Sequence, residues 1–270
     1  MGAPGSIFPL FLKKAGPPNF YDDLVTLGLT ASRQLCLDAG ALASYGGSGQ
    51  KWADLAGGGY DFFFGADATV TTDDPTFNGV AGALTSSEYM SYDGGDKFRY
   101  DSANETWMNN LHKDGQKMSA LVWTYIPDAG ATSSILGTTA NGSTGAGISW
   151  QFLAAETMRI EGAGYSISTG AAVGTGAWKM VGITLDDTTT TGFFSDAGAY
   201  KQVAGADTFT WNPSSTANAD HTMEIGASGN AAQPAANTTR IAAAMVWQGV
   251  ALTIANHLSI YNKQKTRFGL

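Results

Sequence analysis

From Ala177 to Asp187 the chain reads Ala-Trp-Lys-Met-Val-Gly-Ile-Thr-Leu-Asp-Asp. Alternation sets Val181, Ile183 and Leu185 on one face and Trp178 and Met180 on the other. Both faces are apolar, which predicts an interior strand covered on two sides. Asp186-Asp187 and four threonines end it in turn-forming residues, and Phe193-Phe194 restart an apolar run, so an antiparallel hairpin is expected.

Further strands are predicted at Leu35 to Ala39, Tyr60 to Phe64, Met118 to Ile126, Ile148 to Leu153, Met158 to Ile160, Met223 to Ile225 and Arg240 to Val250. Tyr89 to Tyr100 reads as strand, Asp-Gly turn, strand. Asn19 caps a short helix with Phe20, Leu24 and Leu27 at helical spacing. Ser102 and Glu105 have the spacing of a capping box ahead of Trp107, Met108 and Leu111. A last helix starts at Thr253, places Ile254, Leu258 and Tyr261 on one face, and ends at Gly269. This predicts an all-β protein, a two-sheet antiparallel sandwich with short peripheral helices and a C-terminal helix. Residues 1–34 are expected to form an N-terminal arm and short helix, an attachment segment, and residues 35–270 the β-domain.

Composition narrows the functions. Charged residues are 14% of the 270, against about 25% in an average soluble protein. The 35 glycines suit many short strands joined by tight turns. Fifteen Lys and Arg against 23 Asp and Glu give a net charge of −8, which repels nucleic acid and anionic membranes. Cys36 stands alone between Leu35 and Leu37, so a buried thiol and no intrachain disulfide are expected. Ile7 to Leu12 is too short to span a bilayer and is followed by Lys13-Lys14, so neither signal peptide nor membrane anchor is expected. In the proline-rich arm, Phe8, Leu10, Phe11 and Leu12 are poorly placed in open water. They are expected to dock on their own domain or on a neighbouring subunit.

Several stretches stand in a recognisable order: Leu-Asp-Ala-Gly, Ser-Tyr-Gly-Gly-Ser-Gly and Trp-Ala-Asp-Leu within Leu35 to Leu55, Tyr92 to Asp96, Leu121 to Trp123, Trp178 to Asp186, and Ile260 to Leu270. Over about residues 35–270 the chain resembles the concanavalin A-like, laminin G-like jelly-roll superfamily, and more narrowly the versions carried by bacteriophage virion proteins. The resemblance implies two curved antiparallel sheets, with ligands held by loops or by the concave sheet. It also implies a virion or particle surface location, manufacture in the bacterial cytoplasm, and other virion proteins as partners through the arm. Trp123 and Trp178 fall on core strands in that pattern and are not offered as sugar platforms.

Catalytic groups are not apparent. Glycoside hydrolysis needs two carboxyl groups flanking one bond, and no Glu-x-Asp-x-Glu run occurs. Glu156 and Glu161, five apart, would face opposite ways on one strand. His112, His221 and His257 are dispersed, no Gly-x-Ser-x-Gly elbow occurs, and Cys36 lacks a nearby basic group, so neither a zinc site nor a nucleophile is expected. Asp93 and Asp96 are the candidate calcium ligands, though Asp-Gly is equally turn chemistry. Sugar binding calls for aromatic faces and planar polar groups, for which Tyr60, Trp150 and Trp211 with Asn141, Asn212 and Asn218 are candidates. The expected function is a non-enzymatic structural protein of a phage-like particle, with host-surface glycan adhesion. The alternatives are a free-standing lectin-like protein and a divergent glycan hydrolase.

Overall fold

A computed structural model describes residues 17–127, 130–140, 142–170, 172–187, 191–198 and 207–270. The chain opens with α1 (Phe20–Thr26), β1 (Arg33–Asp38), β2 (Lys51–Trp52), β3 (Phe62–Phe64), β4 (Thr76–Asn78), β5 (Tyr89–Ser91) and β6 (Phe98–Tyr100). Next come α2 (Thr106–Asn110), β7 (Lys117–Tyr125), β8 (Ser133–Gly137), β9 (Ser149–Phe152), β10 (Met158–Gly162), β11 (Tyr165–Ser168) and β12 (Trp178–Asp186). It ends with β13 (Thr191–Gly198), β14 (Asp207–Thr210), β15 (Glu224–Ile225), β16 (Arg240–Gln248), α3 (Ile254–Gln264) and a 3-10 turn, Lys265–Phe268. The arm residues Phe8, Leu10, Phe11 and Leu12 lie outside the described residues.

The strands form two antiparallel sheets of eight. One has the order β14-β13-β12-β7-β16-β5-β4 with β1 also on β16; the other runs β11-β10-β9-β8-β15-β6-β3-β2. Val181, Ile183 and Leu185 enter the layer between the sheets with Val122, Trp150 and Ile160, and Trp178 and Met180 face away, as their alternation predicts. The outer face is covered by helix. Phe20 and Leu24 of α1, Ile260 and Tyr261 of α3, and Phe268 pack over Cys36, Leu121, Trp123, Met245 and Trp247. Trp123 stacks on Phe268 at 4.2 Å and donates its indole N–H to Gln264 Oε1 at 2.7 Å.

Three local expectations are corrected. Tyr89 to Tyr100 is no hairpin: β5 lies in the first sheet and β6 in the second, so Asp93 to Asp96 form a corner between layers. The α2 N-cap is Glu105 with no side-chain capping bond, although Trp107, Met108 and Leu111 are buried as expected. The buried face of α3 is His257, Ile260, Tyr261 and Gln264, while Ile254 and Leu258 are exposed. The sheet beneath offers hydrogen-bond partners to His257 and Gln264, and these set the helix rotation. Asn19 and Thr253 do cap their helices as expected, each through a reciprocal pair of bonds of the kind the sequence predicts only at Ser102 and Glu105.

A buried ion pair ties the helical cover to the sheet. Arg267 Nη1 donates to Asp38 Oδ1 at 2.7 Å, and Asp38 Oδ2 accepts the Phe20 N–H at 3.1 Å. Gly40 makes room for the guanidinium, which a Cβ there would strike. Removing one partner leaves a buried charge uncompensated. Arg267→Met is expected to cost about 3–5 kcal/mol in chemical denaturation, and Asp38→Asn on that background to recover part of the loss.

Candidate functional site

The helical cover ends at Phe268, which packs on Trp178 at 4.8 Å. Past it, one row of the sheet's outer face is left half-buried. Pairings Thr76–Ser91, Ser91–Arg240, Arg240–Tyr125 and Tyr125–Trp178 set these five side chains in line across β4, β5, β16, β7 and β12. Asn78 and Tyr89 form the adjoining pair.

A bulge in β16 makes this row possible. The β7–β16 register shifts between Ile241 and Ala243, and both Ala242 and Ala243 join the cluster under the helices. The extra residue keeps Ile241 between the sheets and Arg240 on the outer face. The bulge is also where β1 gives way to β5 along one edge of β16: the Ala39 N–H reaches Ala242 O at 2.9 Å, and Met90 then pairs with Ile241.

Arg240 lies between two rings, its Cζ 4.5 Å from the Tyr125 centroid and 5.0 Å from that of Tyr89. It lines a cavity of about 340 Å³ with Thr76, Asn78 and Ser91 on one side. The Asp93–Asp96 corner and Asn237-Thr238 complete the wall. Asn78 Nδ2 donates to Ser91 Oγ at 2.9 Å, fixing the amide plane. Asp96 is 2% exposed; its Oδ2 accepts the Asp93 N–H at 2.9 Å and its Oδ1 has no partner. Burial, helped by the neighbouring Asp93, raises its carboxyl from the usual range to about 7.

The candidates read from sequence fall elsewhere. Trp150 and Trp211 are fully buried and present no face to a ligand, which corrects their assignment as platforms. Tyr60 is half-buried against Trp107 at 5.1 Å. The exposed Asn212 accepts from the Tyr165 hydroxyl through its carbonyl, and the exposed Asn218 side chain accepts from Lys113 Nζ at 2.7 Å. Asn141 lies outside the described residues. Asp93 and Asp96, the calcium candidates, are on the cavity wall, where Asp93 Oδ1 accepts the Gly95 N–H at 3.1 Å. Among the described residues no three His, Cys, Asp or Glu side chains are grouped to hold a metal.

Two further features were not visible in the sequence. Glu156 and Glu161 do not share a strand: Glu156 is in the β9–β10 turn, and Glu161 on β10 accepts from Arg159 at 3.2 Å and Ser166 at 3.0 Å. His257 bonds Ser195 Oγ at 2.6 Å through Nδ1 and Thr184 Oγ1 at 3.1 Å through Nε2. This resembles a nucleophile–base pair, but His257 is wholly buried and burial lowers its pKa to about 3. Gly182 supplies the room: a Cβ there would come 2.7 Å from His257 Nδ1 and from Ser195 Oγ. The pair joins α3 to β12 and β13 and has no access to substrate.

No known family model matches the chain, and no curated protein does. Solved structures do match. Trypanosoma rangeli sialidase in complex with sialic acid superposes with a TM-score of 0.56 at 14% identity, over 88% of this chain and 34% of that one. The same enzyme in complex with 2-keto-3-deoxy-D-glycero-D-galacto-2,3-difluoro-nononic acid gives 0.55 at 15%, over 88% and 33%. The binding domain of botulinum neurotoxin DC in complex with SialylT gives 0.55 at 10%, over 87% and 52%. The chain thus spans about a third of the sialidase chain and half of the neurotoxin binding-domain chain. At these identities the likeness shows the fold: an antiparallel two-sheet jelly-roll sandwich of concanavalin A-like architecture.

Because the folded pKa of Asp96 lies above its unfolded value, its contribution to stability is full below the unfolded pKa and is lost as pH rises through about 7. Asp96→Asn keeps an acceptor for the Asp93 N–H and removes the titration. Urea denaturation from about pH 4 to about pH 8 is expected to show wild type losing stability relative to this variant as pH rises.

Proposed function

We propose that this chain is a non-enzymatic glycan-binding module displayed on a phage-like particle, taking its ligand in the cavity over Arg240. The observation that carries the reading is the row Thr76, Ser91, Arg240, Tyr125 and Trp178, with Asn78 and Tyr89 beside it. It combines half-buried ring surface with planar amide and guanidinium groups and fixed hydroxyls, the groups that match the apolar faces and vicinal hydroxyls of a sugar. Asp93 and Asp96 stand on one turn and are linked by a hydrogen bond, which does not suit carboxyl groups that must flank a glycosidic bond. That favours binding over hydrolysis, and binding in this form needs no cofactor.

The particle role rests on the sequence resemblance and on the apolar arm. Its location is the particle surface after synthesis in the bacterial cytoplasm, and its partners are other virion proteins held through Phe8, Leu10, Phe11 and Leu12.

Screening the purified chain on an array of bacterial surface glycans is expected to give selective retention, and Tyr89→Ala to weaken it by about tenfold. Retention unchanged in that variant would place the ligand elsewhere. Removal of residues 1–18 is expected to prevent incorporation into particles while leaving glycan retention intact; normal occupancy of the shortened chain would rule out the arm as the attachment.

A further inference from the structure

We propose that the cavity over Arg240 is a receptor for a carboxylate-bearing sugar, with the Arg240 guanidinium as the group that takes the carboxylate. This rests on the glycan-binding reading above and specifies its ligand class.

A guanidinium carries five N–H donors in a planar fork and no acceptor. At Arg267 and Arg159 the fork is answered by protein. Arg267 donates to Asp38 Oδ1 and Thr85 O, and Arg159 to Gln151 Oε1 with Glu161 beside it. Arg240 is placed differently. Its Cζ lies over the rings of Tyr89 and Tyr125, and no described residue accepts a hydrogen bond or ion pair from its side chain. The two rings flank the group, and the cavity that it lines supplies room for an acceptor. A fork held in this way matches a carboxylate with two parallel hydrogen bonds and loses little freedom on binding.

The acidic side chains of the same cavity do not answer it. Asp74 accepts from Thr71, by the N–H at 3.1 Å and by the hydroxyl at 3.3 Å. Asp73, behind it, is paired with Lys97. Asp93 is exposed to solvent and accepts the Gly95 N–H. Asp96 is buried and accepts the Asp93 N–H. The Arg240 fork is therefore left without an acceptor among the described residues, and a cation does not supply one. A neutral sugar answers the hydroxyl-binding groups Asn78, Ser91 and Asn237 and leaves the guanidinium charge unmatched. A sugar acid satisfies both sets.

The test is an NMR titration of the full chain with glucuronate, galacturonate and N-acetylneuraminate, each against its own methyl ester. At least one acid is expected to bind about tenfold or more tightly than its ester. Arg240→Gln should erase the preference, so that acid and ester bind alike, and Arg240→Lys, which keeps the charge but not the fork, should fall between. Acids and esters bound equally by wild type would overturn the proposal and leave the glycan reading standing. Inorganic sulfate displacing the acid as well as free acid does would also overturn it, since the site would then take any anion. No binding of any sugar, together with no retention on the glycan array, would overturn both.

Discussion

The central strands β7, β12 and β16 are buried on both faces, and the remainder of the molecule is arranged to cover them. Each carries apolar side chains toward the second sheet and toward the helices at once, Val122 against Trp123, Val181 against Met180, Val246 against Met245. Fully burying one such side chain contributes about 1.5–3 kcal/mol, and leaving a whole face open would forfeit that several times over. A second sheet covers one side. For the other side the chain uses its own ends, α1 and α3, secured by the Arg267–Asp38 pair and by the indole bond from Trp123 to Gln264.

The proposed ligand site follows from where that cover stops. The helical cover reaches as far as Phe268 on Trp178, and among the described residues no helix covers the last row of the face. An apolar residue there would be exposed, and the chain instead places Thr76, Ser91, Arg240 and Tyr125, residues with polar tips over apolar bodies. The bulge at Ala242 is what allows Arg240 to point outward while Ile241 remains inside. The inter-sheet corner at Asp93 to Asp96 then raises a wall beside the row. The proposed recognition and the packing therefore fall to alternate side chains of the same strands.

Much of the fold was legible because its signals are local. Two-sided alternation at Val181, Ile183 and Leu185 against Trp178 and Met180 identified the doubly covered strand, and Asn19 and Thr253 announced their helices. The site was not legible, because its geometry is set by pairing across the chain. Arg240 meets Tyr125 and Ser91 only through strand register, and Asp93 to Asp96 carries hairpin chemistry while joining two different sheets. Trp150 and Trp211 have the ring faces that sugar binding calls for, yet both point into the core. The one trace at the site was Tyr89-Met90-Ser91, where Met90 turns inward and the two flanking polar side chains turn out.

The central claim is that ligand meets the uncovered row of the helix-covered sheet. Mapping backbone and side-chain resonances of the full chain as a bound glycan is titrated tests this directly. The account predicts shifts clustered on Asn78, Tyr89, Ser91, Tyr125 and Arg240. Shifts confined to the loops around Asn212 and Asn218, with Arg240 and Tyr89 unmoved, would contradict it.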